Sequence, residues 1–567
     1  MKKLINDPRA VVREMLEGLT DLHPGQALLD AENVVVRSDL PPPGARREVA
    51  ILSGGGSGHE PAHAGYVGHG MLHAAVAGDV FTSPSVDAVL ATIRAVAGPP
   101  GVLLVVKNYT GDRLNFGLAA ELARSEGIPV ETVVVADDVA LRATVEPERR
   151  RGIAGTVLVH KVAGASAAAG LPLQAVAREA QATAAALGTM GVALGPCTVP
   201  AAGRPGFSLG ENEVELGLGI HGERGVRRTG LAWADSVVDT ILTTILEDRG
   251  LAQGQRVALL VNGLGGTPPM ELAVVARRAI AVLREWGLVV ERAWSGNLLT
   301  ALEMPGMSLT VLPVDDSRLR WLDAPTTAPA WPGHGRIGAA RQIVRTAVAA
   351  SEPAPAPASS PSPQSAMIRR GALAAAAALE DGEARLTELD AAAGDGDLGA
   401  SMTRAAAAIR TLPEGIWASD PGAILTRIAD ALRRAIGGSS GPFYATALIR
   451  AARGVPARPA AQDWAMALAA GTNAIAELGG AKPGDRTMVD ALQPAAEAFA
   501  AALAAGMPAS AAWGAALDAA RAGAEATARM YPKLGRASYL GARAVGTPDA
   551  GAAAVVIWME ALWPREN

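Results

Sequence analysis

The sequence predicts an α/β N-terminal domain built from two α/β subdomains, followed by an all-α C-terminal domain. Three observations carry that expectation. The 567 residues exceed what one ordinary hydrophobic core accommodates. Residues 351–366, SEPAPAPASSPSPQSA, hold five prolines and almost no large apolar side chain, so they favour extended backbone and build no core. Short β-branched runs recur before that segment and nearly vanish after it. The expected boundaries are 1–333 for the first domain, 334–366 for a Pro/Ala/Ser-rich linker and 367–567 for the second domain.

In the first domain the runs at 49–53, 102–107, 132–135, 156–160, 256–262 and 309–313 read as strands. They are bounded by Gly, Asn or Asp, and several precede helix-like stretches, which argues for parallel sheets covered by helices. A break near 196–219 separates two such sheets. After the linker, Ala, Leu and Arg recur at helical spacing, as at 424–436 and 511–530, with glycine-rich loops between them. That pattern is an all-α bundle.

Composition narrows the function. The formal charge is −5 and aromatics are only 4%, so neither a basic patch nor a base-stacking surface points to nucleic acid. One cysteine, Cys197, excludes a disulfide framework and a Cys-rich zinc site. The opening MKKLINDPRAVVREML has no apolar core of signal-peptide type, and no uncharged apolar run approaches about 18 residues. These features predict a cytoplasmic protein without a membrane partner. All eight histidines precede residue 351 and none lies in the second domain, so a metal there needs oxygen ligands, which favours Mg²⁺ or Ca²⁺ over Zn²⁺.

Two constellations carry chemistry. The run at 49–53 leads into Gly54, Gly55, Gly56, Ser57, Gly58, His59 and Glu60. Ligands bind at the carboxyl ends of strands in open α/β sheets, and glycines there let backbone N–H groups approach a polar ligand. No Gly-Lys-Ser/Thr follows, so this is not a Walker A loop, and a plain strand–helix turn is the alternative. Of His59, His63, His69 and His73, only His59 adjoins the glycines. Lys107 and Asp112 leave the next strand end in KNYTGD, and His221 sits between glycines in GIHGERG, on a loop that reads as uncrowded or else as an ordinary surface turn. In the second domain Asp390, Asp395 and Asp397 crowd LDAAAGDGDLGASM. Three such carboxylates repel one another without a cation. A nucleotide-bound metal, a calcium loop and a solvated acidic turn all remain open on spacing alone.

The order of motifs LSGGGSGHEPAHAGYVGHGML, GDVFTSPS, KNYTGD, GPCTVPAAGRPGF and GIHGERG resembles the substrate-binding (K) domain of dihydroxyacetone kinases. DAAAGDGDLGASM, GGSSGPFYATAL, KPGDRTMVDAL and GRASYLGARAVGTPDAGA resemble the nucleotide-binding (L) domain of the same kinases, a helical barrel. The resemblance implies that His221 attacks the substrate ketone to give a hemiaminal. Gly56, Ser57, Gly58, His59, Lys107 and Asp112 would then line the substrate pocket. His59 and Asp112 would polarise or deprotonate the attacking hydroxyl. It implies two Mg²⁺ ions on Asp390, Asp395 and Asp397. Nucleotide contacts carry over to Leu398, Gly399, Ala400, Ser401, Ser439, Ser440, Gly480, Met488, Arg536 and Asp549.

Fusion of both halves resembles the ATP-dependent branch, so the expected activity is phosphorylation of dihydroxyacetone (glycerone) by Mg-ATP, in a homodimer. A kinase for a related ketose such as erythrulose, and a non-catalytic ligand-binding regulator, are the rival expectations.

Overall fold

The computed structural model describes residues 2–42, 46–344, 362–535 and 537–563. The chain divides into two compact units, Met1–Val344 and Arg345–Asn567. Most of the expected linker lies outside the described residues. Its last residues belong to the helix Pro363–Asp381, which Ser362 caps through its side chain with Pro363 in the first turn. Proline is suited there because its missing N–H has no helical partner at that position anyway.

The first unit holds two six-stranded sheets. Its strands are β1 (Gln26–Leu28), β2 (Val34–Arg37), β3 (Ala50–Ser57), β4 (Ala74–Val80), β5 (Val102–Lys107), β6 (Val130–Val135), β7 (Gly188–Ala193), β8 (Glu213–Leu216), β9 (Arg227–Gly230), β10 (Arg256–Gly263), β11 (Val289–Gly296) and β12 (Gly306–Pro313). The first sheet has the order β1-β2-β4-β3-β5-β6 and is parallel from β4 through β6, with β1 and β2 antiparallel at one edge. The second has the order β11-β10-β12-β7-β8-β9, and only β10 and β11 run parallel. The expectation of parallel sheets therefore holds for most of the first and fails for the second. The second sheet adds short antiparallel strands such as β9, exposed along its whole length, which carries no β-branched run to announce it.

One expected strand is a helix. Residues 156–160 open Thr156–Ala168, where every residue but the last is buried. A helix enclosed on all sides needs no polar face, so its apolar run imitates a buried strand. Conversely β3 runs past residue 53 to Ser57, so Gly54, Gly55 and Gly56 lie in the sheet and not in a turn.

The second unit is all helical among the described residues. Eight helices close a ring in which each packs on the next: Pro363–Asp381, Leu398–Arg410, Pro421–Ala435, Ser440–Ala452, Ala461–Gly479, Val489–Ala504, Ala509–Ala526 and Ala550–Ala561, which returns to the first. Small residues allow the close approach. A Cβ on Gly399, for example, would run into the Glu383 carbonyl and Thr387 of the helix Glu383–Ala393. The helix Ala550–Ala561 feeds both apolar cores of the unit, through Ala552, Val555 and Met559 on one side and Ala553 and Ala554 on the other.

Candidate active site

In the first unit the end of β3, the loop after β8 and the loop after β11 meet. His59, which follows β3, is wholly buried. Its Nδ1 lies 2.7 Å from the Thr300 carbonyl oxygen, and its Nε2 lies 3.1 Å from His221 Nε2. A carbonyl only accepts, so Nδ1 of His59 carries the hydrogen and Nε2 keeps its lone pair. Burial, then the charges of Lys107 and His221, hold His59 well below the usual histidine range. His221 Nδ1 in turn faces Glu223 Oε1 at 2.8 Å, and the His221 backbone N–H donates to Glu223 Oε2 at 2.9 Å. Burial pushes the Glu223 carboxyl up, yet the hydrogen bonds and charge of His221 bring it down to about 2. With His59 Nε2 an acceptor, the hydrogen between the rings belongs to His221.

Aromatic rings fix the pair. His59 stacks on Phe81 with centroids 5.1 Å apart, while Phe81 and Tyr109 meet His221 edge-on at 5.2 and 4.6 Å. The His221 side chain keeps only 19% exposure. The loop that read as uncrowded is therefore a packed and anchored one. Its base is also held, since Arg151 donates to the Gly217 carbonyl at 2.7 Å and is paired with Asp138.

Lys107, at the end of β5, is fully buried, and among the described residues its Nζ has no hydrogen-bond partner. Burial lowers its pKa, with Asp112, Glu223 and Glu60 pulling the other way. Asp112 sits in the first turn of the helix Thr110–Ser125, where a carboxylate is favoured. Both flank Gly55: a Cβ there would stand 3.0 Å from Lys107 Nζ and 3.4 Å from Asp112 Oδ2. The other glycines answer to protein neighbours. A Cβ on Gly56 would meet Thr82 N at 2.5 Å, and one on Gly58, at φ +98°, would meet the Phe81 ring at 2.9 Å. Ser57 spends its hydroxyl on the Gly78 carbonyl (2.7 Å), and the Gly58 N–H donates to Glu60 (3.1 Å). His63 and His73 are buried while His69 is exposed, and the His63 ring packs edge-on against that of His160.

In the second unit Asp390, Asp395 and Asp397 each place a carboxylate oxygen within 4.8 Å of the others. The Leu398 N–H donates to Asp390 at 3.1 Å, tying that carboxylate to the start of the helix Leu398–Arg410, which includes Gly399, Ala400 and Ser401. An all-oxygen set of three carboxylates at a helix N-terminus fits Mg²⁺ with phosphate oxygens. Ser439 and Ser440 stand at the N-terminus of Ser440–Ala452, and Gly480, at φ +67°, ends Ala461–Gly479. Met488 precedes Val489–Ala504 and lies 3.5 Å from where a Gly551 Cβ would be, beside Asp549. Burial raises Asp549 to about 6, with Asp490 and Asp390 adding to the effect. Arg536 lies outside the described residues. The sequence did not single out Arg486, which is 1% exposed and holds the carbonyls of Ala544 (2.9 Å) and Thr547 (2.8 Å).

Glu223, Thr300, Phe81 and Tyr109 were also missed. Glu223 had a usable signal, a carboxylate two residues from an imidazole in a glycine-flanked turn.

Known proteins share this architecture. The Dak1 domain family matches residues 17–330 and the DAK2 domain family residues 392–564. A triokinase/FMN cyclase of Homo sapiens is 44% identical over 571 residues, covering 99% of this chain and 98% of that protein. A D-erythrulose kinase of Mycolicibacterium smegmatis is 38% identical over 574 residues, covering 98% of this chain and 97% of that protein. The crystal structure of the dihydroxyacetone kinase from C. freundii in complex with AMP-PNP and Mg²⁺ matches 100% of both chains with a TM-score of 0.62 and 36% identity.

Proposed function

The chain belongs to the dihydroxyacetone kinase family, with Dak1 and Dak2 domains fused in one polypeptide, and we propose that it transfers the γ-phosphoryl group of ATP to a terminal hydroxyl of dihydroxyacetone. The observation that carries this reading is the His59–His221 pair, 3.1 Å apart, with each ring anchored at its far nitrogen.

That arrangement suits addition of an imidazole to a ketone. His221 Nε2 passes its hydrogen to His59 Nε2 and adds to the carbonyl carbon. The C–N bond forms as the C=O π bond breaks, and His59 returns the proton to the oxygen. The alkylated ring remains cationic, with its Nδ1–H on Glu223, so the charge balance is the same before and after. The adduct selects carbonyl compounds over polyols such as glycerol. It also fixes the terminal hydroxyl, which Asp112 deprotonates while Lys107 supplies a nearby positive charge. In the second unit Asp390, Asp395 and Asp397 would hold Mg²⁺, which would supply positive charge to offset that of the phosphates. The helix N-termini at Leu398 and Ser440, with Gly480, Met488 and Asp549, would cradle the nucleotide.

A four-carbon ketose is the second reading, favoured by the relative named D-erythrulose kinase. The hemiaminal reads the carbonyl and leaves chain length to the pocket walls. A coupled ADP-release assay across dihydroxyacetone, erythrulose and glycerol, with mass spectrometry of His221 after exposure to ketone, decides between them. A much higher kcat/KM for erythrulose would replace dihydroxyacetone as substrate. Absence of both ketone-dependent ADP release and an adduct would end the proposal.

A further inference from the structure

Buried on β10 is a polar side chain that the reaction itself does not use. Asn262 is 0% exposed. Its Oδ1 accepts from the N–H groups of Leu298 and Leu299, both at 2.9 Å, and its Nδ2 donates to the Leu299 carbonyl at 2.7 Å and to Ser308 Oγ at 3.1 Å. All four hydrogen-bonding positions of the amide are thus filled. The loop it grips is the one that supplies Thr300.

The remaining polar groups of 298–300 go to the other side of the site. Tyr66 donates to the Leu298 carbonyl at 2.6 Å, Thr300 N–H donates to the His59 carbonyl at 3.1 Å, and Thr300 Oγ1 donates to the Glu60 carbonyl at 2.8 Å. The Thr300 carbonyl is left facing His59 Nδ1. Which nitrogen of a histidine bears the hydrogen is set by the partner of the other nitrogen. If the Thr300 carbonyl turned away, nothing in this geometry would keep the hydrogen on Nδ1. His59 Nε2 would then stop being an acceptor for His221.

We propose that Asn262 is a positioning residue for ketone capture: by clamping 298–300 it aims the Thr300 carbonyl at His59 Nδ1 and thereby fixes the tautomer that takes the proton from His221. This rests on the reading of the His59–His221 pair given above. The role differs from that of a core residue, because it predicts a change at one imidazole of the unliganded protein.

The test uses the full chain carrying Asn262→Asp, which keeps Oδ1 and replaces the Nδ2 donor by an acceptor. ¹⁵N solid-state NMR of histidine-labelled protein reads the tautomer, with His59 assigned by subtraction using His59→Asn. Wild type is expected to show the His59 hydrogen on Nδ1, and the variant a mixture. The variant's kcat/KM for the ketone is expected to fall about 100-fold, the scale of a misplaced catalytic group, with KM for ATP within about twofold. If a buried carboxylate prevents folding, the smaller and uncharged Asn262→Ser carries the same expectation. A folded variant with the wild-type tautomer and wild-type ketone kinetics overturns the inference. If wild type itself shows no ketone-dependent turnover, the activity reading fails, while the tautomer measurement still tests Asn262 by itself.

Discussion

Replacing Glu223 with Gln removes the negative charge beside His221. One carboxylate oxygen faces His221 Nδ1 at 2.8 Å and the other accepts the His221 backbone N–H at 2.9 Å, and the amide, with a single acceptor oxygen, keeps one of these contacts while losing the charge. Against burial, His221 lowers the Glu223 carboxyl from 4.5 to about 2. In a dry site that shift would correspond to about 3 kcal/mol. The Glu223 side chain is 36% exposed, so solvent screening reduces the coupling to about 1–2 kcal/mol. Without the carboxylate the free imidazole can give up its second hydrogen whereas the adduct stays cationic, so up to the same amount is lost from ketone binding, and kcat/KM for the ketone should fall roughly 10-fold. KM for ATP should not move. Stability follows the same linkage. A depressed carboxyl stabilises the fold fully above about pH 4.5 and loses that contribution as pH falls toward 2. The denaturation difference between wild type and Glu223→Gln should therefore be largest near neutrality and close in acid. A Gln variant with ketone kinetics within twofold of wild type would refute the charge argument.

Other perturbations follow from the same geometry. Lys107→Met should abolish turnover yet raise the melting temperature, because it removes a fully buried ammonium that has no hydrogen-bond partner among the described residues; a thermal scan showing a lower Tm would contradict this. In the wild type, stability conferred through Lys107 should rise with pH as the unfolded-state lysine approaches its usual titration range, since its folded pKa is depressed. Asp395→Asn should remove Mg²⁺-dependent ADP release and leave the circular dichroism spectrum of the folded chain intact, and wild-type turnover would count against the metal assignment. Gly58→Ala should cost about 1–3 kcal/mol in urea denaturation, since φ is +98° and the new methyl would press on the Phe81 ring at 2.9 Å.

What the sequence disclosed, and what it hid, divides along physical lines. β5 was legible to the residue because a parallel interior strand is a near-continuous apolar run. The helix Thr156–Ala168 was misread because total enclosure erases the polar face that gives helices their periodicity. β1, β8 and β9 are three or four residues long and leave too short a pattern. At the site, His59, Lys107, Asp112 and His221 stood out as reactive types at strand ends and in glycine-flanked loops. Their supports did not. Thr300 acts through its backbone carbonyl, which no side-chain motif encodes, and Asn262 looks like any polar residue near a strand end. The glycines were noticed for ligand approach, whereas Gly56 and Gly58 make room for the Phe81 segment.

The helical ring of the second unit also bears on how that unit is made. Residues 550–561 bridge both apolar cores and lie against residues 363–381, so neither core is sealed until the later segment has left the ribosome. Without residues 550–561 the ring would have an apolar seam between the helices at 509–526 and 363–381. A stop codon just ahead of residue 550 would leave that seam exposed to chaperones and proteases.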